Sequence, residues 1–257
     1  STLNFIERAD RTLSAAEWSP PRQRMRFLDF AVVCSVIGIG ALLVFPAIAT
    51  LRGDQARIVC ADRLRAVGVA LGMYADIESN NLPYVDKTGP LNNAGSFAYA
   101  LKAKELIGEI SMFVCPGADS ALVRIPTPED LQAAESDPAR FNSLRRSMSG
   151  SFGYLLGYED GGEYRGRMLR QSTPVVSDRP PRASEYAGSA NSPNHQFQGQ
   201  NVLFSDGSIR WLTNPTYRGD ALFINDAGIA AAGCRSGDAV IGVSEATPYP
   251  FLSSTGL

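Results

Sequence analysis

Residues 30–49 read FAVVCSVIGIGALLVFPAIA, a run without one charged side chain, and residues 50–82, TLRGDQARIVCADRLRAVGVALGMYADIESNNL, follow at once with helical periodicity. A helix of about twenty residues at ~1.5 Å per residue reaches ~30 Å, the thickness of a bilayer hydrocarbon core, so a single transmembrane span is expected over residues 27–49. The run is longer than the apolar part of a secretory signal, and no small-x-small cleavage site stands apart from the helix beyond it; the expectation is a retained anchor. Further on, Cys60, Leu64, Val67, Leu71 and Tyr74 alternate at intervals of four and three and paint one apolar stripe, which needs a sheet to cover it. Arg52, Asp54, Asp62, Arg63 and Arg65 put this continuation in water, and Asn80-Asn81-Leu82-Pro83 closes it. Pro46 removes one helical hydrogen bond near the outer end of the run, where a kink is expected.

Arg22, Arg24 and Arg26 precede the run, whereas Arg52, Asp54 and Arg57 after it are of mixed sign. The positive-inside rule then makes residues 1–26 a cytoplasmic extension and everything from about Thr50 extracytoplasmic: a single-pass bacterial inner-membrane protein with its main domain in the periplasm. Leu3, Ile6, Ala9, Leu13 and Ala16 line one side of a short helix over residues 1–19, started by Asn4 and Glu7 and ended by Pro20-Pro21. The 257 residues, 44% hydrophobic and 19% charged, suffice for one ordinary domain after this segment. A net charge of -2 gives no basic surplus for a phosphate backbone, so nucleic acid is not an expected partner.

Beyond Pro83, where most of the glycines and prolines lie, short alternating pieces predict an antiparallel sheet in residues 83–257 and, with the helix, an α+β class. Residues 152–159 and 163–169 around Asp160-Gly161-Gly162 read as one hairpin, and residues 201–204 and 209–212 around Ser205-Asp206-Gly207-Ser208 as a clearer second. Residues 221–225 and 229–232 around Asp226-Ala227-Gly228 form a weaker third. Residues 116–147 are polar and partly helical, an insertion at the sheet's edge.

The segment from Phe27 to Tyr84 resembles the N-terminal helix of type IV pilins and of the pseudopilins of type II secretion. An acidic residue near the start, a mid-helix glycine and a late proline fall at Asp29, Gly38 and Pro46. A helix cysteine, Cys60, then Cys115-Pro116, then NSPNHQFQGQNVLFSDGSIRWL with His195 and Asp206-Gly207 resemble one subset of that family. The resemblance implies a long helix packed on an antiparallel sheet and a non-enzymatic subunit that assembles with itself or with pilin-like partners through the apolar helix. In that reading Asp29, Gly38 and Pro46 serve assembly, although Asp29 exposed to headgroups and water is an equal alternative. The sequence departs from the family where Arg24-Met25 replaces the glycine at which the leader is cut, so retention of the leader is expected. A rival reading is a single-pass envelope-anchored module with the same fold that binds glycan or another envelope component.

His195 is the only histidine, which removes sites built on two imidazoles, and no Gly-x-Ser-x-Gly elbow accompanies it; no catalytic residue is assigned. The expected role is structural, an imidazole bonded to the Asp206-Gly207 turn. Asp206, Asp220, Asn225, Asp226 and Asp238 gather oxygen ligands in loops, but at no calcium-loop spacing, so turn chemistry is preferred over calcium and no cofactor is expected. Cys34 reads as a small hydrophobe. Cys60 and Cys115 are either a disulfide tying helix to sheet or two buried thiols, and the wide cysteine spacing argues against a zinc cluster.

Overall fold

The computed structural model describes residues 27–118, 122, 124–165, 172–182, 185 and 191–250, and of residues 27–29, 43, 45–47, 49 and 50 the backbone alone. The elements are, in order, helices α1 (Phe27–Ile77), α2 (Ser96–Ala103), α3 (Pro128–Ala133) and α4 (Pro138–Ser147), then strands β1 (Phe152–Leu155), β2 (Tyr158–Asp160), β3 (Glu163–Arg165), β4 (Pro174–Asp178), β5 (Gln200–Phe204), β6 (Ile209–Leu212), β7 (Thr216–Tyr217), β8 (Asp220–Ala221) and β9 (Ile241–Gly242). Tight 3-10 turns occupy Ile110–Phe113 and Pro193–His195. The chain divides into two compact units, residues 1–49 and 50–257.

In the first unit α1 exposes apolar side chains such as Phe30, Val36, Ile37 and Leu42. Among the described residues, no helix is long and apolar enough to cross a membrane. The expected span over 27–49 is corrected on that finding. The single-pass inner-membrane topology, the periplasmic placement of the main domain, the membrane as partner and pilin-type assembly through this helix all depended on that span and are corrected with it. At Gly38 a Cβ would meet nothing of this chain within 4 Å. Asp29 and Pro46 lie on the backbone of α1, their side chains outside the described set. The expected helix over residues 1–19 and the retained leader also lie outside the described residues.

In the second unit the stripe turns inward. Cys60, Leu64, Val67 and Leu71 are buried and Tyr74 is half-buried, all in one core with Phe97, Phe113, Phe152, Tyr154, Val176 and Leu203. The cover is an antiparallel, open five-stranded sheet of order β6-β5-β4-β1-β9. Among the described residues the fold class is α+β, with no helix long and apolar enough to cross a membrane. Helix and sheet close tightly at Gly68, where a Cβ would stand 3.0 Å from Cδ1 of Leu203; a larger residue would press on the end of that side chain. Past Ile77 the chain leaves the helix through Ser79 and Asn80, both left-handed at φ 54 and 66, and the Asn80 N–H donates to Ala75 O at 2.8 Å.

The β5–β6 hairpin has the expected strands, in register Val202↔Arg210. Its turn is held by the Ser208 N–H donating to Asp206 Oδ1 (2.9 Å) and by Gly207 at φ +79, a conformation glycine adopts without a steric penalty. The first expected hairpin is split: β2 and β3 pair around Gly161-Gly162, while β1 leaves to pair with β4 and β9. The third is not a hairpin. Asn225 Oδ1 accepts from the Ala227 and Ile229 N–H groups, folding the segment into a side-chain-capped turn, and the local pair is instead β7–β8 around Arg218-Gly219. Residues 116–147 carry α3 and α4, each opened by a side-chain cap, Thr127 and Asp137.

Leu64 is fully buried, whereas Met73 on the same helix is half exposed. Leu64→Ala is expected to cost ~2–5 kcal/mol and Met73→Ala within about 0.5 kcal/mol, read from urea unfolding of the full chain. Equal losses at the two positions would contradict the packing of α1 on the sheet.

Candidate metal centre

Four side chains from four separate elements meet inside the second unit. Cys60 comes from the striped face of α1, and Cys115 from the chain leaving the Ile110–Phe113 turn. Asp178 ends β4, and His195 ends the Pro193–His195 turn. One ligand atom from each lies within 4.8 Å of all the others. Cys60, Cys115 and Asp178 are 0% exposed and His195 is 8% exposed. Neither the 940 Å³ cleft beside Tyr158 and Arg218 nor the 520 Å³ cleft beside Pro181 and Phe223 is lined by any of the four.

The backbone builds this convergence with local devices. Ser192 caps the His195 turn, accepting from the Asn194 N–H (3.2 Å) while its own hydroxyl donates to Arg179 O (2.7 Å), which ties the turn to the end of β4. Gln196 and Phe197 then take left-handed φ of 55 and 61, a strained reversal secured by Asn191 Nδ2 donating to Phe197 O at 3.1 Å. Gly117 permits the Cys115 turn to lie against this loop: a Cβ there would stand 2.4 Å from Asn194 O and 3.3 Å from His195 Nδ1. Arg63 on α1 reaches Val114 O and anchors the same turn to the helix. Trp211 meets the imidazole edge-on at 5.3 Å.

Asp178 is the hub. Its Oδ2 accepts from the Asn201 backbone N–H at 2.6 Å and lies 3.1 Å from His195 Nε2. Its Oδ1 accepts from Cys60 Sγ at 2.7 Å and from Asn194 Nδ2 at 3.4 Å. Cys115 Sγ stands 3.6 Å from the same His195 Nε2. Burial opposes a charge on His195, but the Asp178 carboxylate and the Cys115 sulfur outweigh it and push the imidazole up to about 9. The Cys60 thiol beside Cys115, helped by His195 and opposed by burial, holds the Cys115 thiol down to about 6. Burial first, then Cys115 and Asp178, push the Cys60 thiol far up. The shifts run in opposite senses: they favour the charged forms of Cys115 and His195 and the neutral thiol of Cys60.

Two sulfurs, one imidazole nitrogen and one carboxylate form a donor set suited to zinc and related transition metals. Bonds of ~2.3 Å to sulfur and ~2.0–2.1 Å to nitrogen at a tetrahedral angle place S and N about 3.6 Å apart, and Cys115 Sγ and His195 Nε2 are 3.6 Å apart. The Cys60–Asp178 contact of 2.7 Å is shorter than the ~3.6 Å that two ligands of one ion keep. Metal entry would displace the thiol proton and spread this pair.

The expectations of no cofactor and of no enzymatic or metal centre are corrected on this cluster, whose geometry is consistent with a metal-binding or catalytic site. This cluster does not match calcium coordination, because sulfur ligands do not suit that ion. Of the calcium candidates, Asp220 and Asp226 do meet, together with Asp238. There, however, Asp226 pairs with Arg235 at 2.7 Å, and Asp238 Oδ2 accepts from the Asp226 and Cys234 N–H groups at 3.0 and 2.7 Å. Asp206 and Asn225 belong to turns elsewhere. Among the described contacts, His195 bonds Asp178 and Cys115 rather than the Asp206-Gly207 turn. Asp178, Asn194, Asn201 and Gly117 escaped the sequence reading. The one signal for Asp178 is an acid closing the apolar strand PVVSD.

Compared with known proteins, the chain matches no family model, no curated protein and no solved structure. No pilin or pseudopilin homology is detected, so the resemblance drawn from Asp29, Gly38, Pro46 and the Cys115-Pro116 and Asp206-Gly207 motifs is corrected.

The pH dependence of the metal-free chain follows from these shifts. His195 titrates at about 9 in the fold against an ordinary 6.5, so its contribution to stability is complete below pH 6.5 and is lost as pH rises through 9. Cys115 titrates at about 6 against an ordinary 9.0, so its contribution is complete above pH 9 and is lost as pH falls through 6. The two contributions change in opposite senses between pH 6.5 and 9, so chelator-treated protein is expected to show a nearly level Tm across that window, and His195→Asn to remove one of them and lower Tm most at its acid end, leaving a Tm that rises with pH. A Tm profile indifferent to His195→Asn would contradict the coupling.

Proposed function

We propose that this chain is a metal-binding domain in which one zinc-type transition-metal ion is held by Cys60, Cys115, Asp178 and His195. The observation that carries the reading is the mutual approach of the four ligand atoms to within 4.8 Å in a buried setting. Four protein ligands of this type complete a tetrahedral shell, the arrangement of structural zinc sites. The ligands come from α1, the Cys115 turn, β4 and the His195 turn, so the ion clamps the helix to the sheet, and its binding free energy becomes folding free energy. Asn194 and Asn201 orient Asp178 from outside the shell.

A second reading is thiolate chemistry at Cys115, favoured by its contact with His195 Nε2. A relay of the Cys-His-Asp kind uses both ring nitrogens, one toward sulfur and one toward carboxylate. Here Nε2 faces both, which suits convergence on an ion better.

Elemental analysis of the full chain is expected to give one zinc per molecule. Cobalt substitution should give the visible and near-ultraviolet bands of a tetrahedral thiolate site, and Cys115→Ser should abolish both. Asn194→Ala is expected to weaken zinc affinity by about 10–100-fold while leaving the stoichiometry intact. Absence of metal from reduced full-length protein after zinc exposure would overturn the metal reading; rapid alkylation of Cys115 in zinc-loaded protein would favour thiolate chemistry instead.

A further inference from the structure

Cys60 and Cys115 are both free and buried, their sulfurs within 4.8 Å of each other, and they join two of the four elements that the metal would clamp. Two thiols so placed need a closure of under ~3 Å to reach the ~2.05 Å of a disulfide. Their other neighbours are polar: Asp178 Oδ1 stands 2.7 Å from Cys60 Sγ and His195 Nε2 3.6 Å from Cys115 Sγ. The remaining cysteines, Cys34 and Cys234, are exposed.

We propose that the joint between α1 and the Cys115 turn has two alternative closures, a metal ion when the thiols are reduced and a Cys60–Cys115 disulfide when a small-molecule disulfide oxidises the metal-free protein. The proposal rests on the metal reading above. The Cys115 sulfur attacks one sulfur of the small disulfide; that S–S bond breaks, a mixed disulfide forms, and the departing small thiolate takes the Cys115 proton. The Cys60 sulfur then attacks the Cys115 sulfur and expels the second small thiolate, which takes the Cys60 proton as it leaves. Two protein thiols are oxidised to one disulfide, and one small-molecule disulfide is reduced to two thiols. The product can no longer hold the ion, because both sulfur ligands are consumed. A bound ion in turn withholds both sulfurs from exchange, so metal-loaded protein resists the oxidant.

The test uses full-length Cys34→Ser/Cys234→Ser protein, zinc-loaded or chelator-treated, each exposed to oxidised glutathione and digested without reduction. Far-ultraviolet circular dichroism checks that every sample is folded. The expected result is a Cys60–Cys115 linked peptide with a loss of two hydrogens in the metal-free sample only. Zinc uptake by that sample should be abolished and then restored by reductant, and its Tm should exceed that of the reduced metal-free protein. Two results overturn the covalent closure alone: reduced protein that binds zinc but keeps both thiols free after oxidation, or one that stops at a glutathione adduct on Cys115. A linked peptide in protein that takes up no zinc even when reduced overturns the metal reading and with it the alternation, leaving a plain structural disulfide.

Discussion

A carboxylate at the end of β4, removed from water, is the constraint around which the second unit is arranged. Left unpaired, a buried charge is costly enough to unfold a domain or to force protonation. Asp178 escapes that cost because every direction around it supplies a donor: a backbone N–H from β5, an amide from Asn194, the imidazole of His195 and the thiol of Cys60. These partners come from elements far apart in sequence, so satisfying the carboxylate and assembling the domain are the same event.

The same arrangement explains why the surrounding loops carry unusual backbone. The His195 turn is capped by Ser192 and followed by two left-handed residues, and the Cys115 turn requires glycine at 117. Strain of this kind persists where the neighbouring structure over-determines it, and here it aims one imidazole nitrogen and one sulfur at a common point. A metal ion at that point would add its binding energy to the hydrophobic closure made by Leu64, Val67 and Leu203. The helix would then be held at two kinds of contact, one apolar and spread along the stripe, the other polar and concentrated at Cys60.

Local pattern made part of this legible. The four-three spacing of Cys60, Leu64, Val67 and Leu71 identifies the buried face of α1, because helical periodicity depends on neighbours within a few turns. Ser205-Asp206-Gly207-Ser208 identifies the β5–β6 hairpin for a similar reason: its turn is built from its own residues. The site was not legible in that way. Cysteine spacing is diagnostic of zinc when ligands sit on one knuckle or finger; here they lie at 60, 115, 178 and 195 and nothing short-range relates them. The single histidine argued against sites built on paired imidazoles and was silent on a site needing one imidazole beside sulfur and carboxylate. The apolar run at 30–49 pointed to a membrane and a pilin-like assembly, and Cys60 and Cys115 were legible as neighbours but not as parts of a site shared with Asp178 and His195.

The sequence by itself determined the α+β class, the inward face of α1 in the second unit and the turn at Asp206-Gly207, all features whose causes are local. Tertiary structure alone decided that Cys60, Cys115, Asp178 and His195 share one buried volume. Sheet order and loop closure, which bring β4 between β1 and β5 and fold the 115 and 195 turns over its end, are non-local contacts that no window of sequence contains.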